Sequence, residues 1–438
     1  MRKLIGKSGV VISVLIALYL LILWSQWLPL STPAGKKAVA IMTTPLPPIE
    51  ENENAFKEAW LFPYDIPDSE KADVMAADIE KFSKYGSGYD YNSSAEGRYP
   101  KFSDADNLLC KPKTENCIDK ARSNLDKYHA LFSKNEKLSI KATALAGFDK
   151  SRSLFAQNFA TPIASYGTVG SWQLSLSAYW HVQGKKAEAL DLTCRAAHSW
   201  RGFAENSHGL IDQMLGLAFY ANATRLLAEQ LSENPADTAL PPSCEKAYSP
   251  VEPEKFPICH SMQLEYQLLQ SATASIKAGE SGITGEPEPA KWSDKLAGLW
   301  FNKRASEEKF AILLAAECSD DADILQAINQ PDEGVWNGLS LSEMAFNPVG
   351  GILTSISSVS YGDYRERMQN LTLTQAAMQA VLTQRDTASS ATGEAEISSG
   401  NLKVRFNRQT KAFEVDLYRS PRENELLSLP LAGSRLEK

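Results

Sequence analysis

The side chains best suited to hold a metal or attack a substrate are five histidines (His129, His181, His198, His208, His260) and six cysteines (Cys110, Cys117, Cys194, Cys244, Cys259, Cys318). Cys194 and His198 stand four residues apart, so on a helix they share a face, as a pair of metal ligands would. No third or fourth ligand stands at a matching spacing, and no Cys-x-x-Cys occurs. A packed or capping histidine is the expectation for His198, and no metal is expected. Asp104-Ala-Asp106 and Asp321-Ala-Asp323 have the Asp-x-Asp form that binds a metal–nucleotide sugar in membrane-bound glycosyltransferases. Such enzymes need alternating strands and helices, whereas this chain reads helix after helix. Asp320–Asp323 is better explained as the acidic start of a helix. Gly-x-Ser-x-Gly, P-loop and Gly-x-Gly-x-x-Gly signatures are absent. The sequence therefore assigns no catalytic residue and no cofactor.

With metal ligation set aside, an even number of cysteines points to disulfides and an oxidising compartment. Cys110 and Cys117 bracket a six-residue Lys-Pro-Lys-Thr-Glu-Asn loop, and Cys244 and Cys259 bracket a proline-rich one. Pairing nearest neighbours leaves Cys194 with Cys318. It is one of about 15 connectivities that six cysteines allow.

The compartment follows from Val10–Leu30. No charged side chain lies between Ser8 and Gly35, and Val10–Trp24 is apolar except for Ser13. Roughly 20 such residues in a helix match the hydrocarbon thickness of a bilayer. Arg2, Lys3 and Lys7 favour an N-terminus held inside, which places Trp24 and Trp27 at the outer interface. A cleaved signal peptide is the competing reading, since Ala38-Val-Ala40 offers small residues for a cut. The apolar run exceeds the roughly 7–15 residues usual for that role, and Ala40 lies well beyond its end.

A net charge of −8, from 45 basic and 53 acidic residues, excludes a nucleic-acid groove, which needs clustered Lys and Arg. The pattern implies a mainly α chain with five parts: an anchor over 1–30, an extended Pro-rich spacer over 31–49, a helical periplasmic region over 50–386, a flexible linker over 387–400, and a β-hairpin with a tail over 401–438. Within the helical part, Ile118, Ala121, Leu125, Tyr128 and Phe132 recur at helical spacing, and a second helix covers about 136–148. Residues 233–257, with six prolines, read as loop. In the hairpin, Leu402, Val404 and Phe406 alternate with charges, as do Phe413, Val415 and Leu417, so basic and acidic residues can pair across strands.

Ser171–Trp200 is the best-defined unit. A break at Gly184, small residues at Ala189 and Ala196, and Trp180 in an aromatic slot resemble a tetratricopeptide helical hairpin. No second copy follows at the period of an array. Lys185, Lys186, Arg195 and Arg201 make this unit locally basic in an acidic protein, so they are the candidate binding residues for an acidic protein partner. Trp60-Leu-Phe-Pro-Tyr64 reads as a core-capping loop rather than a docking site. The sequons at Asn92, Asn222 and Asn370 read as chance, two of them falling in amphipathic helices.

Leu109-Cys-Lys-Pro-Lys-Thr-Glu-Asn-Cys-Ile118, Leu210-Ile-Asp-Gln-Met-Leu-Gly-Leu-Ala218, Asn347-Pro-Val-Gly350 and Tyr364-Arg-Glu-Arg367, with the short anchor, resemble uncharacterised single-pass inner-membrane proteins of proteobacteria. The resemblance implies a periplasm-facing helical protein and carries no site residues. The expected function is binding or scaffolding in an envelope assembly; the alternative is an envelope hydrolase or transferase. A concave pocket holding two carboxylates with raised pKa would favour the enzyme, and an apolar groove in the hairpin region would favour binding.

Overall fold

The computed structural model describes residues 11–21, 31–85, 91–102, 107–158, 161–250, 258–278, 300–319, 345–357, 362–383, 404–417 and 425–435. Helices dominate them, joined by one three-stranded antiparallel sheet. Two hydrophobic cores organise the helices, a large one and a smaller one.

The first helix, α1, covers 11–21, and every side chain on it is exposed. No helix among the described residues is long and apolar enough to cross a membrane. The rest of the expected span, residue 10 and residues 22–30, lies outside the described residues. The spacer expected over 31–49 instead contains a helix, α2 (Pro33–Met42). Thr32 caps it by accepting the Gly35 N–H at 2.9 Å, and Pro33 occupies the first turn, where its missing N–H costs nothing.

The large core begins with α3 (Phe56–Trp60) and α4 (Lys71–Tyr85). Trp60, Leu61, Phe62 and Tyr64 are all buried, so the aromatic run is core. Trp60 donates its indole N–H to Asp78 at 2.7 Å, and Ser93 Oγ and the Ser94 N–H supply Asp78 with further donors. The single helix expected from Ile118 to Phe132 is divided at Asn124 into α5 (Cys117–Ser123) and α6 (Leu125–Lys134), followed by α7 (Glu136–Leu145).

The hairpin is α8 (Tyr166–Val182) and α9 (Lys186–Asn206). Gly184, at φ +83°, makes the turn between them in a conformation that side chains disfavour. Apolar residues surround α8, as suits a helix packed on several sides: Val169, Trp172, Leu174, Leu176 and Tyr179 are all buried. Small polar residues occupy its crossings. Ser177 Oγ donates to the Ala189 carbonyl at 2.7 Å, lies 2.6 Å from Thr193 Oγ1, and accepts from Gln230 Nε2 at 2.9 Å. Gln230 belongs to α10 (Leu210–Ser232), which packs along α9. Trp200 Nε1 donates to Gln173 Oε1 at 2.9 Å, and Gln173 Nε2 donates to the Ala142 carbonyl at 2.9 Å. An unmet partner in such a network costs about 1–3 kcal/mol.

A short helix, α11 (Pro242–Tyr248), lies inside the stretch expected to be loop and packs on α9. The smaller core gathers α2, α12 (Ile258–Ala278), α13 (Lys303–Ala315) and α14 (Pro348–Ser357). Its buried residues are Met42, Ile258, Met262, Tyr266, Phe310 and Leu314, with Leu210 from the first turn of α10 closing it. α15 (Gly362–Thr383) returns to the large core beside α10 and the sheet.

The expected hairpin forms as β1 (Arg405–Asn407) and β2 (Ala412–Leu417), with Phe406 opposite Phe413. Arg405 pairs with Asp416 at 3.0 Å on the polar face. A third strand, β3 (Glu425–Pro430), was not expected; it pairs with β2 and buries Leu427 and Leu429. The linker expected over 387–400 lies outside the described residues.

The cysteines require a correction. Cys110–Cys117 forms as expected, but the other bonds are Cys194–Cys244 and Cys259–Cys318, not Cys244–Cys259 and Cys194–Cys318. Packing decides the pairing: α11 carries Cys244 against Cys194 on α9, while the first turn of α12 brings Cys259 to Cys318 just after α13. Each core thus holds its own long-range disulfide.

Candidate binding groove

A groove of about 790 Å³ opens between α6 and α7 on one wall and the α8–α9 hairpin on the other. Its apolar lining includes Phe132, Ile140, Ala144, Leu176, Tyr179 and Trp180. Ile140, one of these, is 63% exposed. His129 Nδ1 lies 2.8 Å from the Tyr179 hydroxyl, which also accepts from Gln183 Nε2 at 2.6 Å. Burial pushes the Tyr179 phenol above its ordinary pKa, so it stays protonated and fixed in this chain of contacts.

Two of the four candidate binding residues line this groove, Lys185 and Arg195. Lys185 is exposed at the hairpin turn. Arg195 is half-buried and oriented by Asp191 (Nε to Oδ2, 2.8 Å) and by the Thr143 carbonyl (Nη1, 3.1 Å), which ties α9 to α7. Lys186 is exposed but turns away from the groove, its ammonium donating to the Glu233 carbonyl at the end of α10 at 3.1 Å. Arg201, the fourth candidate binding residue, is not at the surface. It is buried, with Nε on Glu205 at 2.7 Å and Nη1 on the Ser249 carbonyl at 2.6 Å, so it fastens the end of α11 to α9. A long charged side chain inside a core is held by such carbonyl and carboxylate partners.

The opposite wall was not legible as a site. Tyr128 and Phe132 belong to a stripe that reads as core, and both are buried. The only available signal was Ile140, an apolar residue off the buried face of α7 that carries Leu138, Ala142 and Leu145.

A second cluster lies where the two cores meet. His208 contacts Arg152, and its ring centroid is 5.3 Å from that of His260. Burial, then the Arg152 guanidinium, then His260 lower the His208 pKa to about 3, so the imidazole is neutral in the folded protein. Arg152 also donates to the Pro47 carbonyl, so the cluster fastens the segment after α2 to the large core. His198 is likewise lowered by burial, with its neighbour Cys194 committed to a disulfide. No cluster of three or more His, Cys, Asp or Glu suited to a metal exists among the described residues. Asp104, Asp106, Asp321 and Asp323 lie outside them.

Three carboxylic acids are raised by burial: Asp212 to about 7, Glu229 to about 8 and Glu265 to about 7. None lines the groove. Glu229 accepts the Cys117 N–H at 3.0 Å and so caps α5. Asp212 sits in the first turn of α10.

Comparison with known proteins gives this geometry no kin: no family model, no curated protein and no solved structure matches the chain.

Proposed function

We propose that the chain is a membrane-anchored, periplasm-facing binding or scaffolding protein of a bacterial envelope assembly, and that the hairpin groove is where it takes hold of a protein partner. The observation that carries this reading is the groove itself, with an apolar floor, Ile140 left open, and Lys185 and Arg195 on its hairpin side. The raised carboxylates that an acid–base enzyme would want together lie elsewhere, at helix starts and in packed positions. In this reading a short partner segment places an apolar side chain against Phe132, Leu176 and Ile140, and a carboxylate meets Lys185 and Arg195. Arg195 is pre-oriented by Asp191 and Thr143, so little freedom is lost when it engages. Rim charges of this kind speed association and weaken with salt.

Anchoring through residues 10–30 completes the reading, with Arg2, Lys3 and Lys7 holding the N-terminus in the cytoplasm. The exposed apolar surface of α1 supports it, since Val11, Leu15, Ile16 and Leu21 are each more than half exposed. Mature protein should keep its N-terminal residues and stay with the membrane after a high-salt wash; a mature N-terminus near Ile41 would contradict the anchor.

The binding claim is tested by capture from the protein's own membrane with Lys185→Glu. Recovery of the co-purifying partner should fall several-fold at low salt, with thermal stability unchanged within about 0.5 kcal/mol. Unchanged recovery, together with an activity on envelope material that is lost when Asp212, Glu229 or Glu265 becomes its amide, would favour an enzyme instead.

A further inference from the structure

We infer that α14 is a second membrane contact, a short helix seated in the outer leaflet beside the anchor; the inference rests on the anchoring reading above. Residues Met344–Gly362 form a 19-residue stretch without a charged side chain. α14 occupies its middle, and Ala345 and Phe346, just before it, meet α1. The Tyr19 hydroxyl donates to the Ala345 carbonyl at 2.7 Å, and the Tyr19 and Phe346 rings lie 5.8 Å apart.

That contact fixes depth. In the proposed anchor, Trp24 at the outer interface follows Tyr19 by five residues, a distance that a helical anchor would make about 7.5 Å. A carbonyl bonded to Tyr19 therefore lies near or inside the hydrocarbon boundary. A phenol and a peptide carbonyl at that depth lack water, and they satisfy one another. Asn347 serves the same end inside the protein: its Oδ1 accepts the Asn302 N–H at 2.7 Å, and its Nδ2 donates to Ser306 Oγ at 3.0 Å.

The protein-facing side of α14 is built for close seating on α13. A Cβ at Gly350 would stand 2.0 Å from Ser306 Oγ, so only glycine lets the helices approach this far. Thr354 is buried on the same side, its hydroxyl returned to the Gly350 carbonyl at 2.7 Å. Ile352 points away and is 56% exposed, and Val349 lies one turn earlier on that stripe. Lipid is the occupant that the uncharged stretch and its continuity with α1 favour.

The test uses the full-length protein in phosphatidylglycerol–phosphatidylethanolamine vesicles. An environment-sensitive fluorophore is attached to a single added cysteine at Ile352, Leu15 or Ile140, the native cysteines being paired. At Ile352 the probe should be quenched by spin-labelled lipid with the label near the headgroup, and shielded from aqueous iodide. The probe at Ile140 should show the reverse. Iodide quenching at Ile352 as strong as at Ile140 overturns the inference, and so does shielding from both quenchers, which would mean that protein covers the helix. Lipid quenching at Leu15 without any at Ile352 rejects α14 alone. Its absence at Leu15 as well rejects the anchor on which the inference rests.

Discussion

The two cores are built differently. The large core crosses its central helices through neutral polar groups, Ser177 with Thr193, the Ala189 carbonyl and Gln230, each hydrogen-bonded within the bundle. The smaller core places charge at its edge: Glu308 receives Ser31 Oγ at 2.6 Å and the Thr32 N–H at 3.1 Å, and Arg365 forms a buried ion pair with Glu317 beside Cys318. Burial alone would raise the Glu308 carboxyl, but its hydrogen bonds to Ser31 and Thr32 and the nearby Arg304 hold it below its ordinary value. Neutral hydrogen bonds at crossings add specificity with little desolvation, whereas buried charges are costly unless every partner stays in place. The large core holds charges too, Arg201 on Glu205 and Asp78 under Trp60, but its crossings beside the groove are neutral; the buried Arg365–Glu317 pair makes the smaller core the more easily loosened. Leu210 and Met214 of α10 are apolar side chains through which the first touches the second.

The largest expected effect separates the two. Trp200→Ala removes a buried ring and leaves Gln173 Oε1 without its donor, so a loss of about 3–5 kcal/mol is expected. Hydrogen exchange should then rise across α8, α9 and α10 together. Similar loss confined to a single helix would show that the large core is not one cooperative unit.

Removing the disulfides sharpens the contrast. Cys194–Cys244 and Cys259–Cys318 span 50 and 59 residues, so the chain-entropy argument gives each about 4 kcal/mol, an upper figure. Replacing Cys259 and Cys318 by alanine should speed exchange in α12 and α13 while leaving the α8–α9 hairpin protected. Replacing Cys194 and Cys244 should do the opposite. Breaking the Arg365–Glu317 pair with Arg365→Met should cost about 3–5 kcal/mol at most, again felt in the smaller core. Chemical denaturation followed by local probes in each core checks all three.

A smaller effect is a pH slope. Burial raises Glu229 to about 8, so between its unfolded value near 4.5 and about 8 the folded state holds a proton that the unfolded state has lost. Stability from this group is full below 4.5 and declines as pH rises to about 8. Glu229→Gln keeps an acceptor for the Cys117 N–H and removes the titration. The variant should gain on the parent as pH rises from 5 to 8, by at most about 1.4 kcal/mol per pH unit. Parallel stability curves for the two proteins would show that Glu229 does not titrate in this window. Smallest of all, Lys186→Ala should leave the groove intact and cost a few tenths of a kcal/mol, since the side chain only meets the end of α10.

What the sequence made legible follows the same division. Helical periodicity located the hairpin, α7 and the stretch that forms α5 and α6 because their apolar residues recur over several turns. It missed α2 and α11, where prolines look like breakers but stand in a first turn. The disulfide pairing was illegible because Cys244 and Cys259 are near in sequence yet belong to different cores. Lys185 and Arg195, which line the groove, were singled out by local charge. Arg201 misled for the same reason, because charge says nothing of burial until α11 is known to pack over it. The far wall of the groove needed tertiary structure, since α7 contributes Ile140 from outside its buried face.

The central claim is that a partner sits in this groove. A photoreactive residue introduced at Ile140, in the groove, or at Ile211, exposed on α10, tests it in the native membrane. The account predicts a discrete crosslinked protein from Ile140, absent from Ile211, and lost at high salt or on adding Lys185→Glu. No adduct from Ile140, or the same adducts from both positions regardless of Lys185, would contradict it.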